Sequence, residues 1–208
     1  MTEPLGECRA FLIARTEAET TSLAQIARKT GFGEVEPLSA RHQYVADEHR
    51  RISFFIVHRH LNSTLMAAVI RSIRMSSDDQ IRFAPVILFA EDGPFETYLD
   101  YIHLGYDDVI TLPDKQPVLV QRLTGQLWHE QVYYETRDYF GPDRRRMEAP
   151  GDIDSRRLPD PHSHTRYTFV RLPTVGINIT KTEIFARPET AGHAVMQRAP
   201  LPGHGALR

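Results

Sequence analysis

Ile52-Ser53-Phe54-Phe55-Ile56-Val57 is the stretch that most restricts what this chain can become. Five of its six residues are large and apolar, and the run is too short to make a good helix. Such a run fits a strand covered by helices on both faces, at the centre of a parallel sheet. In open sheets of that kind, chemistry sits just beyond the carboxyl ends of the strands. His58-Arg59-His60 follows the run directly and places two imidazoles and a guanidinium at that edge.

The flanking sequence repeats the pattern. Arg9–Ala14 reads as a first buried strand, Glu34–Leu38 as a short edge strand, Pro85–Ala90 as a fourth and Val109–Thr111 as a brief fifth. Between them lie helical stripes. Leu23, Ile26 and Ala27 follow Thr20-Thr21-Ser22 as a cap, and Gly31 and Gly33 end that helix. Leu65, Met66, Val69, Ile70 and Ile73 follow Asn62-Ser63-Thr64. Phe95, Leu99 and Ile102 precede Gly105, at the position just past a helix end. Residues 40–50 suit at best a weak helix, and Ser76–Gln80 a polar loop. From Pro117 a long segment with Val120, Leu123, Leu127 and Tyr134 reads as helical to about Arg137. Strand and helix alternating in this way predict a doubly wound parallel α/β domain over residues 8–137.

Residues 138–165 carry prolines and arginines with little apolar periodicity, and predict an irregular extension. Residues 166–208 predict a weakly structured C-terminal region, with a short hairpin or docked strand over 166–186 and a mobile tail from Pro188. A net charge of −2 with 41% apolar residues supports a core and argues against a protein that coats nucleic acid. No run of about eighteen apolar residues marks a membrane span. The acidic N-terminus lacks the features of a secretory signal, so a soluble cytoplasmic protein is expected. The single Cys8 leaves no internal disulfide and no cysteine-based zinc site, and a buried inert thiol is expected.

Two segments resemble the receiver domain of bacterial response regulators, the CheY-like fold. Leu65 to Ala90, with an Ile-Arg pair near the helix end and the Pro-Val-Ile-Leu strand, resembles the third helix and fourth strand of that family. Leu104-Gly105-Tyr106-Asp107-Asp108-Val109-Ile110-Thr111-Leu112-Pro113 resembles its Gly-x-Asp-Asp-apolar-apolar-x-Lys-Pro stretch. The resemblance covers roughly residues 8–130 and implies a five-stranded sheet in the order 2-1-3-4-5.

It also implies where phosphotransfer groups belong. The family's acidic magnesium pair falls on Arg15 and Thr16, its phosphoaccepting Asp on His58, its Thr or Ser on Ala90 and its Lys on Leu112. Magnesium prefers oxygen ligands, phosphoryl transfer needs a carboxylate nucleophile, and a lysine neutralises developing charge. None of these groups is in place, which implies a pseudo-receiver that uses no aspartyl phosphate and is not an enzyme. The leading function is a signalling adaptor in a bacterial two-component or motility network. The family's usual partner surface would here carry Tyr98, Tyr101, Tyr106 and Trp128, with aromatics as interface anchors.

His58 and His60 form a His-x-His, yet no third or fourth ligand follows at a metal-site spacing, so no metal is expected. Arg15 and Arg59 could take an anion in the former acidic pocket. Asp78-Asp79 and Asp107-Asp108 fit caps and turns. Tyr139-Phe140-Gly141-Pro142-Asp143-Arg144-Arg145-Arg146, continued by Arg156-Arg157, fits either a solvated linker or a guanine-nucleotide grip. Arginine forks bind phosphates and the guanine edge, and the two aromatics add stacking. The stretch resembles the arginine-rich extensions of CheY-like cyclic di-GMP effectors, which makes that dinucleotide the alternative ligand. No other cofactor is expected, nucleic acid is not the expected partner, and oligomeric state is left open.

Overall fold

The computed structural model describes residues 4–38, 51–143 and 163–185. Their first half is a five-stranded sheet in the order β2-β1-β3-β4-β5, all pairs parallel. The strands are β1 (Arg9–Ile13), β2 (Glu34–Pro37), β3 (Ser53–His58), β4 (Val86–Glu91) and β5 (Asp108–Leu112). Helices α1 (Glu17–Lys29), α2 (Ser63–Arg74), α4 (Phe95–Leu104) and α5 (Gln116–Thr124) connect or follow them, and α3 (Asp79–Arg82) adds one turn before β4. The order 2-1-3-4-5 is that of flavodoxin and CheY, with its switch point between β1 and β3.

β3 is the central strand because each of its faces meets a separate core. Phe54 and Ile56 point into a cluster with Leu12, Phe89, Leu23 of α1 and Leu123 of α5. Phe55 and Val57 point the other way, onto Leu88, Met66 and Ile70 of α2 and Ile102 of α4. All four are completely buried, each stabilising the fold by roughly 1.5–3 kcal/mol, which is why the run lacks polar alternation. Local signals set the helix limits. Asn62 Oδ1 caps α2 by accepting Leu65 N–H at 2.8 Å, and Gly105 closes α4 at φ 118°, where a side chain would be strained.

Several expectations are corrected. α1 starts at Glu17, with Thr16 rather than Thr20-Thr21-Ser22 as its cap. The stretch expected to be a polar loop after α2 includes α3, capped by Asp78, which accepts Gln80 N–H at 2.8 Å. Leu65 lies on the solvent side of α2.

The largest correction concerns the segment expected to be helical to Arg137. α5 ends at Thr124, Trp128 turns the chain at φ 60°, and β6 (Glu130–Glu135) follows. β6 enters a second, antiparallel sheet in the order β7-β6-β8-β9, with β7 (Phe140–Pro142), β8 (His164–Leu172) and β9 (Gly176–Phe185). The expected hairpin over 166–186 is therefore present and extended, paired to β6 rather than to the parallel sheet. The parallel unit ends after α5, short of residue 137, and the extension expected to be irregular begins with a strand. The weak helix expected over 40–50, most of the arginine-rich extension and the tail from Pro188 lie outside the described residues.

A buried charge network joins the two sheets. The Asp107 carboxylate, just before β5, is saturated by four donors. Arg74 Nη2 at 2.6 Å and Val86 N–H at 2.8 Å donate to Oδ2; Arg171 Nη2 at 2.8 Å and the Tyr133 hydroxyl at 2.7 Å donate to Oδ1. Arg171, on β8, is fully buried; it also donates to the Phe83 carbonyl at 2.9 Å, to Gln126 Oε1 at 3.0 Å and to the Tyr133 oxygen at 2.7 Å. Arg74 Nη1 and Nη2 also donate to the Arg82, Ala84 and Gly105 carbonyls. Phe83, Tyr133 and Phe169 pack over the network as a buried aromatic cluster. A buried charge persists only when paired and hydrogen-bonded, and here every charged member is. Asp107 was expected to serve a turn; it is the hub between the two sheets.

Candidate functional site

The carboxyl edge of the parallel sheet is assembled from β3 and the start of α1. His58 is the last residue of β3, and the turn after it carries Arg59 and His60. From α1, Glu19 reaches across to both imidazoles. Its Oε1 lies 2.7 Å from His60 Nδ1 and 3.9 Å from His58 Nδ1. Its Oε2 accepts the backbone N–H groups of Arg15 at 3.0 Å and Thr16 at 3.1 Å, while Thr16 Oγ1 accepts Glu19 N–H at 3.2 Å. This is a capping box, so Glu19 is fixed by the helix N-terminus on one side and by histidine on the other. The hydrogen bond from His60, aided by the capping N–H groups, takes the Glu19 carboxyl down to about 2. Burial lowers the His58 pKa below the usual imidazole value, against the opposing pull of Glu19. The two rings meet edge to face, 4.6 Å between centroids.

Glu19 was missed in the sequence, although Thr16-x-x-Glu19 carries the capping-box signature. The spacing shows that Glu19 faces back toward its own helix start; only the fold brings β3 there.

The positions implied by the receiver resemblance can now be placed. Thr16 is used as a helix cap, and Arg15 is exposed beside it. Ala90 is buried at the end of β4 and Leu112 is half-buried at the end of β5. Together with His58, Ala90 and Leu112 line a cleft of about 540 Å³, with His60, Glu91 and Asp114 at its polar side. Arg59 pairs with Glu91 across that edge, so an anion there would compete with a carboxylate already in place.

The expected partner face divides. Tyr106 is completely buried against the α2–α4 core, which corrects its assignment as a surface anchor. Tyr101 is half-buried and meets the Tyr106 ring edge-on at 6.3 Å. Tyr98 is also half-buried, its hydroxyl accepting Gly93 N–H at 2.6 Å. Trp128 is 49% exposed at the bend between α5 and β6. Of the arginine-rich stretch, Arg144, Arg145, Arg146, Arg156 and Arg157 lie outside the described residues. Phe140, assigned to base stacking, packs instead in the second sheet against Phe83, with Arg82 3.8 Å above its ring. The Tyr139 hydroxyl donates to the Pro142 carbonyl at 2.7 Å.

No family model matches this sequence, and no curated protein matches it. Solved structures do. One is the signal receiver domain of a signal transduction histidine kinase from Syntrophus aciditrophicus, at 20% identity and TM-score 0.41, covering 59% of this chain and 93% of that one. Another is a response regulator from Thermotoga maritima, at 15% identity and TM-score 0.42, covering 57% and 95%. A third is the receiver domain of a sensor histidine kinase from Pseudomonas aeruginosa with magnesium in its active-site cleft, at 17% identity and TM-score 0.42, covering 57% and 95%. The strand order stands independently of these matches. The parallel half has the CheY-like fold. No helix among the described residues is long and apolar enough to cross a membrane.

Proposed function

We propose that this chain is a receiver-fold signalling module that acts by binding a partner protein and accepts no phosphoryl group on aspartate. The observation that carries this is the state of the sheet's carboxyl edge. His58 stands where a nucleophilic carboxylate would be needed, and Thr16 is spent on capping α1. A carboxylate nucleophile, an oxygen shell for magnesium and a lysine are separate requirements, and one substitution supplies only one of them. Incubation with acetyl phosphate and magnesium is expected to add no phosphoryl mass to the protein or to a His58→Asp variant. An added phosphoryl mass that hydroxylamine removes would overturn the proposal. For the partner, the partly exposed Tyr98 and Tyr101 and the exposed Trp128 are the candidate anchors, and alanine at each should weaken capture of a signalling partner without unfolding the chain.

A ligand role for Arg144, Arg145 and Arg146 is the second reading. It is supported by β7, which ties the start of that segment to the second sheet, with Asp143 N–H donating to the Val132 carbonyl at 3.3 Å. Cyclic di-GMP titrated by calorimetry should bind the unsubstituted chain and not the triple alanine variant; no heat with the unsubstituted chain ends that reading.

A further inference from the structure

Glu19, His58 and His60 come from two elements, and each offers a ligand atom within 4.8 Å of the others. We propose that they form a site for a zinc-class divalent metal ion at the carboxyl edge of β3. The donor set, two imidazoles and one carboxylate, suits zinc, cobalt, nickel or copper and is poor for magnesium, which prefers oxygen. Three protein ligands leave one tetrahedral position, and the adjoining cleft opens it to water.

The distances fit with small shifts. Metal–ligand bonds of about 2.0–2.1 Å in a tetrahedron hold the ligand atoms about 3.3 Å apart. The Glu19–His60 separation of 2.7 Å must widen and the Glu19–His58 separation of 3.9 Å must close, each by about 0.6 Å. The proton between Glu19 and His60 leaves, and the metal takes its place. His58 Nδ1 now accepts His60 N–H over a long 3.3 Å, and coordination replaces that contact. Glu19 needs no further support, because Arg15 N–H and Thr16 N–H already orient its other oxygen. Metal ligands are ordinarily held by such outer hydrogen bonds. A bound ion would staple the start of α1 to the end of β3, the two elements on either side of the sheet's switch point.

The test uses the full-length chain without a histidine tag, stripped with chelator. Cobalt(II) is titrated and followed by its visible ligand-field absorption, and zinc(II) by calorimetry. One equivalent with tetrahedral-type cobalt bands is expected at this site. His60→Ala and Glu19→Gln should each weaken that equivalent by at least about tenfold. Both variants are chosen to preserve folding, since His60 is largely exposed and glutamine keeps the capping-box oxygen; far-UV circular dichroism checks this. Absence of cobalt bands and of zinc heat in the unsubstituted chain overturns the proposal. So does binding that both variants retain at full strength, which would assign the ion to other histidines.

Discussion

Replacing Arg171 with alanine tests the idea that one buried network makes the two sheets a single folding unit. The guanidinium donates to Asp107, Tyr133, Gln126 and the Phe83 carbonyl with no solvent exposure, so its loss leaves several buried acceptors unpaired. Removing one member of a buried ion pair costs roughly 3–5 kcal/mol. Whole domains are stable by only about 5–15 kcal/mol, so the change is a large fraction of the total. At about 2–4 °C per kcal/mol for a chain this long, Tm should fall by roughly 6–20 °C. Trp128 is the only tryptophan, and its backbone N–H donates to the Arg171 carbonyl at 3.0 Å, which places its fluorescence at the joint between the sheets. In urea, the fluorescence transition of Arg171→Ala should precede the loss of far-UV circular dichroism, whereas the unsubstituted chain should show both together. Arg166→Ala serves as the control: its pair with Glu183 is partly exposed, worth roughly 0–1 kcal/mol. A Tm change for Arg171→Ala no larger than for Arg166→Ala, with coincident transitions, would refute the network's role.

The Glu19 carboxyl, taken down to about 2 chiefly by the His60 hydrogen bond, should titrate well below 4.5 when followed by carbon NMR. Because its folded value is the lower one, its stabilising contribution is complete above the unfolded value and is lost as pH falls from about 4.5 toward 2. Glu19→Gln should therefore flatten the acid limb of stability. His58, also lowered, adds a loss that begins as pH drops below 6.5. Tyr106→Ala should cost roughly 3–5 kcal/mol of stability by chemical denaturation, since it opens a cavity between α2 and α4; a small cost with lost partner capture would restore it to the surface.

Particular residues show why some of this was legible in sequence and some was not. Five strands, most of their helices and the carboxyl-edge position of His58 could be read directly, because a continuous apolar run, an Asn62 cap and a Gly105 stop are local signals. The helix expected to about Arg137 failed because Leu119, Leu123 and Leu127 keep helical spacing while the residues after them pair with β8. Val132-Tyr133-Tyr134 had the strand chemistry, but only a partner strand reveals which rings it buries.

The same division holds for charge. Ile73-Arg74 and Gly105-Tyr106-Asp107-Asp108 carry the resemblance to receivers as separate stretches, yet Arg74 is bonded to Asp107, and Asp107 in turn to Arg171, 64 residues further along the chain. Sequence by itself determined the parallel sheet, since apolar runs and helix caps depend on residue type at positions set by short-range periodicity. Tertiary structure alone decided that Asp107 holds two arginines and that Glu19 stands beside His58 and His60. A carboxylate's role is set by which cations reach it, and that depends on contacts between elements far apart in the chain.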